Sequence, residues 1–202
     1  MRAVGALILA AGGSTRFGEA KQFLVFDGQA LLRRVVVAAQ EGGCAPIAAV
    51  VGQEWERAGA ELAGTGAHLV HNREWERGIG TSIRCGIKYL VRDAPSLEGA
   101  ILLACDQPYV NGEVISRLIG ERKKSGKTIV ASHYAGTLGI PAFFGASWFG
   151  ALCSLDDESG AKSLLQSHHG DMAHIEFEGG AVDIDTPDEY ASLTSHEYNR
   201  RG

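Results

Sequence analysis

The chain lacks a Cys-x-x-Cys pair, a surplus of basic residues and any apolar stretch near the roughly 20 residues that span a bilayer. Each absence excludes something. Cys44, Cys85, Cys105 and Cys153 are scattered, with no histidine at zinc-ligand spacing, so they read as reduced, mostly buried thiols. With 19 Lys plus Arg against 24 Asp plus Glu, the net charge of -5 gives no general electrostatic reason to bind nucleic acid. A membrane partner is equally unexpected. Residues 3–11 after Met1-Arg2 imitate the short core of a secretory signal, but the run stops abruptly at Gly12-Gly13, as a buried first strand would. A cytoplasmic location is the expectation. No tandem repeat or low-complexity linker interrupts the chain.

What is present is an ordinary globular mixture, 45% hydrophobic and 21% charged over 202 residues, enough for one buried core. One domain over residues 1–194 with a polar end at 195–202 follows. Apolar runs at 4–10, 47–51, 68–71, 99–105 and 128–132 read as strands, several hydrophobic on both faces, as parallel strands covered by helices are. Between them, residues 30–41, 54–62, 81–91 and 111–124 carry apolar positions at helical spacing, with Gly42-Gly43 and Ser125-Gly126 as stops. This β-α-β-α rhythm predicts an α/β three-layer sandwich, Rossmann-like, around a mostly parallel sheet whose ligands collect at the carboxyl ends of the strands. Residues 135–181 break the rhythm, with a strand near 140–144, a helix at 162–167 and a return strand at 173–177. An inserted, substrate-facing part is expected there.

The chemistry begins after the first strand. In Leu9-Ala10-Ala11-Gly12-Gly13-Ser14-Thr15-Arg16-Phe17-Gly18-Glu19-Ala20-Lys21, glycines let backbone approach phosphates, while Ser14, Thr15, Arg16 and Lys21 add donors and positive charge. The segment is neither a P-loop nor a G-x-G-x-x-G fingerprint. A surface loop of the same composition is the bland alternative. At Leu102-Leu103-Ala104-Cys105-Asp106-Gln107-Pro108 an apolar strand delivers a carboxylate to the ligand-binding edge, where it can hold Mg²⁺ or merely cap a helix. Val182-Asp183-Ile184-Asp185-Thr186-Pro187-Asp188 sets further carboxylates beside a turn, with the same two readings for Asp185. His168-His169 and His174 form no recognisable metal pattern, Cys105 has no base to make it a nucleophile, and Trp55, Trp75 and Trp148 read as packing or rim residues.

Together these segments resemble the MobA-like NTP transferases, and especially their molybdenum cofactor cytidylyltransferase branch. The resemblance rests on the 9–18 segment with Lys21, on Asn72 and Trp75 leading into Gly78-Ile79-Gly80-Thr81-Ser82-Ile83, on Cys105-Asp106-Gln107-Pro108 and on Asp183-Ile184-Asp185-Thr186-Pro187. It runs through most of the chain, with the four motifs in family order. It implies a nucleotide-diphospho-sugar transferase type of fold. It implies that Ala10, Ala11, Gly12, Gly13 and Ser14 contact the nucleotide with Arg16 and Lys21, and that Gly80, Thr81 and Ser82 lie beside base and sugar. Asp106 and Asp185 are the implied metal ligands, and Arg16, Lys21 and Asp106 the implied catalytic residues.

The implied reaction is Mg²⁺-dependent transfer of CMP from CTP to molybdopterin, releasing pyrophosphate, with a molybdoenzyme or chaperone as partner. Ala10-Ala11-Gly12 in place of Ala-Gly-Gly is what favours CTP over GTP. The chain departs from the branch where Gly-His-Pro becomes Gly139-Ile140-Pro141 and where Gly-Asp-x-Gly-Ala-Arg becomes Asp157-Glu158-Ser159-Gly160-Ala161-Lys162. These positions bear on the acceptor, since Lys does not reproduce a bidentate guanidinium contact. GTP as donor, a sugar or polyol phosphate as acceptor, and a non-catalytic nucleotide- or cofactor-binding chaperone are the alternatives.

Overall fold

In the computed structural model, which describes residues 3–12 and 20–200, the apolar run after the N-terminus forms strand β1 (Val4–Ala10). There follow the short pair β2 (Val25–Phe26) and β3 (Gln29–Ala30), helix α1 (Leu31–Glu41), β4 (Ile47–Val51), α2 (Trp55–Glu61) and β5 (His68–His71). Next come α3 (Ile79–Asp93), β6 (Gly99–Ala104), α4 (Gly112–Ser125), β7 (Ile129–Tyr134) and β8 (Thr137–Gly145). The order closes with α5 (Phe149–Cys153), α6 (Lys162–Ser167), β9 (Ala173–Glu176) and α7 (Pro187–Arg200). Helix α7 runs through residue 194, where the sequence placed the end of the domain.

Alternation along β1 sorts the core into two faces, because successive strand side chains point to opposite sides. Ala6, Ile8 and Ala10 pack with Leu32, Val35 and Val36 of α1 and Val114, Ile115 and Leu118 of α4. Leu7 packs on the other side with Ile83, Ile87 and Leu90 of α3 and with Leu152 and Leu165. The result is the expected three-layer sandwich. The order of the main sheet is β5-β4-β1-β6-β8-β7-β9, and β8 runs against both its neighbours while the other described pairings of this sheet are parallel.

The segment after residue 135 is therefore not an insertion. Tyr134 pairs with Thr137 across Ala135 and Gly136, whose φ of 47° and 71° meet the demand of a two-residue hairpin for positive φ at both positions. The chain returns as β8 into the middle of the sheet, with Phe143 and Phe144 fully buried on opposite faces. The physical reason is continuity of the core: β6 would otherwise expose a hydrophobic edge. A smaller stretch around residues 155–160 does reach the ligand-binding edge.

Local chemistry sets the helix ends. The Asn111 side chain accepts from the Val114 amide at 3.0 Å at the start of α4, and Gly126 takes φ 70° at its end. Close approach fixes Gly86, where a Cβ would sit 2.1 Å from Leu7 Cδ1 and 2.9 Å from Val50 Cγ2. We expect Gly86→Ala to lower the unfolding free energy by about 1–3 kcal/mol through overpacking. Urea denaturation checks it. A gain of about 1 kcal/mol, the helix-propensity effect acting alone, would show that α3 has slack against the sheet.

Candidate active site

β1 and β6 are parallel neighbours, with Leu9 beside Ala104, so the residues following them emerge together at the carboxyl edge of the sheet. A cleft of about 430 Å³ opens there. Leu9, Ala11, Gly12, Ala104, Cys105 and Asp106 form its floor from those two strand ends, and Lys21, Gln22, Trp75, Ile79 and Ser82 contribute walls. A Cβ built on Gly12 would meet no atom of the described residues within 4 Å. None of them demands a glycine at that position, so its missing side chain leaves room on the cleft.

The second acidic segment reaches the cleft by a backbone clip. The Ile184 amide donates to the Asp106 carbonyl at 3.0 Å, and the Ile184 side chain is fully buried with Leu24, Phe26 and Leu31. With Ile184 turned inward, Asp183 and Asp185 point the other way, toward Asp106. Helix capping does not occupy Asp185. Glu189 accepts from the Asp185 and Thr186 amides at 2.8 Å each and donates its own amide to Thr186 Oγ1, a capping box in which Thr186 is the cap. The Asp185 carboxylate instead pairs with Lys21 Nζ, which is largely buried. Nor does Asp106 cap α4, since Asn111 fills that role.

Crowding of acids shows in their proton affinities. Burial raises the Asp106 carboxyl above its ordinary range, Lys21 pulls it down, and Asp185 adds to the rise. Asp183 is pushed up to about 6 by desolvation first, then by the Asp106 and Asp185 charges, against the lowering effect of Lys21 and Gln107. Among the described residues, three carboxyls therefore share one lysine. A hard divalent cation fits this donor set, because it would offset repulsion that Lys21 only partly balances. Among the described residues, no three His, Cys, Asp or Glu side chains gather as a complete metal cage. Asp106 and Asp185 would thus hold a cation only together with phosphate and water oxygens.

Of the residues singled out in the sequence, the structure brings together Ala11, Gly12, Lys21, Ser82 and Asp106 on the cleft, with Asp185 paired to Lys21. Ala10 is buried beneath it, and Gly13, Ser14 and Arg16 lie outside the described residues. Gly80 and Thr81 serve the wall rather than the opening. Thr81 Oγ1 donates to the Gly78 carbonyl at 2.7 Å, and buried Asn72 Nδ2 donates to Thr81 Oγ1 at 2.8 Å and Ser82 Oγ at 3.0 Å. Gly80 donates its amide to the Asp157 carbonyl at 2.8 Å, and a Cβ there would lie 2.0 Å from the Asp156 carbonyl oxygen.

Asp157 opens the 157–162 stretch that departs from the resembled motif. It pairs with Arg84 and, at 2.6 Å, with Arg77, which together hold its carboxyl below the usual range, Arg84 foremost. Arg84 Nη1 also donates to the Leu155 carbonyl at 2.5 Å, tying the 155–160 segment to α3. At the other departure, Ile140 contributes its carbonyl, which accepts from Gln107 Nε2 at 3.2 Å and Tyr134 Oη at 3.0 Å. Gln107 Nε2 reaches the Gly180 carbonyl as well, at 3.1 Å, so this buried amide locks the Asp106 turn to β8.

Asp183, Gln107 and Glu76 are site residues that the sequence reading did not assign. The Asp-x-Asp spacing in an extended segment was the usable signal for Asp183. Nothing local marked Glu76, which lines the cleft because the turn after β5 folds over β4. No helix among the described residues is long and apolar enough to cross a membrane.

Known structures share this fold. The crystal structure of Rv0371c from Mycobacterium tuberculosis H37Rv is 29% identical, with a TM-score of 0.82 over 96% of this chain and 100% of its own. The structure of Rv0371c in complex with manganese is 26% identical, with a TM-score of 0.78 over 96% and 99% of the two chains. Over 122 residues the chain is 31% identical to the bifunctional enzyme IspD/IspF of Novosphingobium aromaticivorans, a match covering 58% of this chain and 30% of that protein. The chain thus spans less than a third of that relative. The fold is of the nucleotide-diphospho-sugar transferase type. Residues 6–172 match the MobA-like NTP transferase domain, and the chain belongs to that family of nucleotidyltransferases.

Proposed function

We propose that the protein transfers CMP from CTP to a phosphate of a molybdopterin-type acceptor, releasing pyrophosphate, with Mg²⁺ bound between Asp106 and Asp185. The observation that carries this reading is the convergence of Lys21, Asp106 and Asp185 beside Gly12 at the ends of two parallel strands. The acceptor phosphate oxygen attacks the α-phosphorus in line, and the bond to the pyrophosphate oxygen breaks. When bound, the metal ion supplies Lewis-acid stabilisation of phosphoryl oxygens. Lys21 offsets charge gathering on pyrophosphate, joined by Arg16. Asp106 and Asp185 orient the phosphates, and Ala10 to Gly12 and Ser82 fix the nucleoside end. Positioning and electrostatic stabilisation supply most of the barrier lowering in such transfers, so no enzyme nucleophile is required.

The manganese complex of Rv0371c supports a divalent ion here. Ala10-Ala11-Gly12 supports CTP. The replaced residues at Ile140 and 157–162 favour a second reading with a sugar or polyol phosphate as acceptor. Pyrophosphate release measured with CTP and GTP, each with and without molybdopterin, and with Mg²⁺ or Mn²⁺, tests the assignment. We expect turnover with CTP, molybdopterin and Mg²⁺ together. Turnover with GTP alone as donor would sink the CTP assignment, and tight binding without turnover would favour a chaperone.

A further inference from the structure

The cleft has one wall that the phosphate chemistry does not use. A Cβ built on Gly52, just past β4, would lie 2.6 Å from Trp75 Cγ, 2.8 Å from Cδ1 and 2.9 Å from Cδ2. Cγ is bonded to both of the other atoms, so an approach nearest to Cγ comes from above the ring rather than along its edge. One indole face therefore rests on the Gly52 backbone. The half-buried ring lines the cleft together with Ile79 and Ser82. β4 and β6 flank β1, so the Trp75 seat and Asp106 stand on opposite sides of it, about 10 Å apart at the spacing of adjacent strands. That separation places a flat aromatic surface where the nucleoside end of a bound nucleotide would lie when its phosphates meet Lys21 and Asp106.

Glu76 follows on the same wall. Its neighbours are spoken for: Glu74 pairs with Arg77 at 2.5 Å, and Arg77 with Asp157 at 2.6 Å. Glu76 lines the cleft with no hydrogen bond or ion pair among the described residues. An ionised carboxylate only accepts hydrogen bonds, so it attracts an amine and repels a carbonyl.

We propose that Trp75 and Glu76 form the base-reading wall of the cleft, with Trp75 as the stacking face and Glu76 as acceptor for an exocyclic amine of the base. This rests on the cytidylyl donor proposed above, since cytosine presents an amine where uracil presents a carbonyl oxygen. Trp75 then sets overall affinity, because every base has a face to stack, and Glu76 sets the choice among bases.

Calorimetric titration of the full chain with CTP, UTP, GTP and ITP tests it, with inorganic pyrophosphate as a probe that neither residue touches. The wild type is expected to bind CTP about tenfold more tightly than UTP, the scale of one charge-assisted hydrogen bond. Glu76→Gln, able to accept and to donate, is expected to bring the two within about twofold. Trp75→Leu is expected to weaken CTP and UTP alike by about tenfold, and Gly52→Ala, which shifts the ring without removing it, to act in the same direction. Pyrophosphate affinity stays at the wild-type value in all three variants. A wild-type CTP to UTP ratio retained in Glu76→Gln overturns the amine assignment, and unequal losses in Trp75→Leu overturn the stacking assignment. The donor reading fails separately if the wild type prefers GTP over CTP. In that case a GTP to ITP ratio that collapses in Glu76→Gln keeps Glu76 as the amine acceptor, and an unchanged ratio overturns it.

Discussion

Asp106→Asn is expected to lower kcat for pyrophosphate release by about 10²–10³, the cost of removing one preorganised charge-stabilising group, while leaving the fold intact. The stability half of this expectation comes from the carboxyl's surroundings. Asp106 is desolvated and faces Asp185, so its charged form is disfavoured in the folded protein without a cation. Amide replacement keeps the shape and removes repulsion. It also relieves Asp183, whose carboxyl Asp106 helps to push up to about 6. The variant should therefore melt no lower than the wild type in the absence of nucleotide and metal, and the gain in Tm on adding CTP with Mg²⁺ should be lost. A residue that lowers stability yet is needed for turnover is what a functional site contains. Wild-type turnover in folded Asp106→Asn, followed by pyrophosphate release, would remove Asp106 from the metal site. A melting temperature several degrees lower would make its role structural.

Lys21→Ala is expected to weaken CTP binding by about 10–100-fold and CMP binding by no more than a fewfold, since charge-assisted hydrogen bonds contribute about 1.5–3 kcal/mol each. Lys21 is one cation beside three carboxyls, and it lowers the proton affinity of both Asp106 and Asp183. Its removal leaves negative charge facing an incoming triphosphate, so the loss falls mainly on the phosphates farthest from the nucleoside. Calorimetry with CTP, CDP and CMP reads the gradient. Equal losses for all three would mean that Lys21 acts chiefly as the partner of Asp185. Higher Mg²⁺ should recover part of the CTP affinity in the variant, because an ion held by the same carboxylates would offset their charge.

Much of this site was legible because its residues sit where local rules are strongest. A buried run ending at Gly12, and another ending at Cys105-Asp106, mark strand ends without any tertiary knowledge, and parallel pairing then forces the two together. What escaped depended on returns of the chain. Ala135-Gly136 makes the hairpin that turns β8 back into the sheet, but alanine at a positive φ is not a turn signature, so a core strand read as the start of an insertion. Asp183 was visible as one of several acids, yet only the clip from Ile184 to Asp106 decides which of them comes up to Asp106. Gly80 reads as a small residue beside base and sugar. Its proximity to Asp156 and Asp157 shows that it makes room for the protein's own backbone.

The hydrogen bond from Ile184 to Asp106 joins two distant parts of the chain at a single peptide group. Among the described residues the cluster of Ile184, Leu24, Phe26 and Leu31 is small, with only Tyr190 and Leu193 packed against it, so little apolar burial holds the 183–186 strip in place. Anything that bridges Asp106 and Asp185 therefore works as a cross-link, closing a long loop reversibly. Occupancy of the cleft and docking of the C-terminal helix become one equilibrium, and amide exchange over residues 183–190 should slow in proportion to free nucleotide and metal. The protein's grip on its donor is in this sense also its grip on its own C-terminal segment.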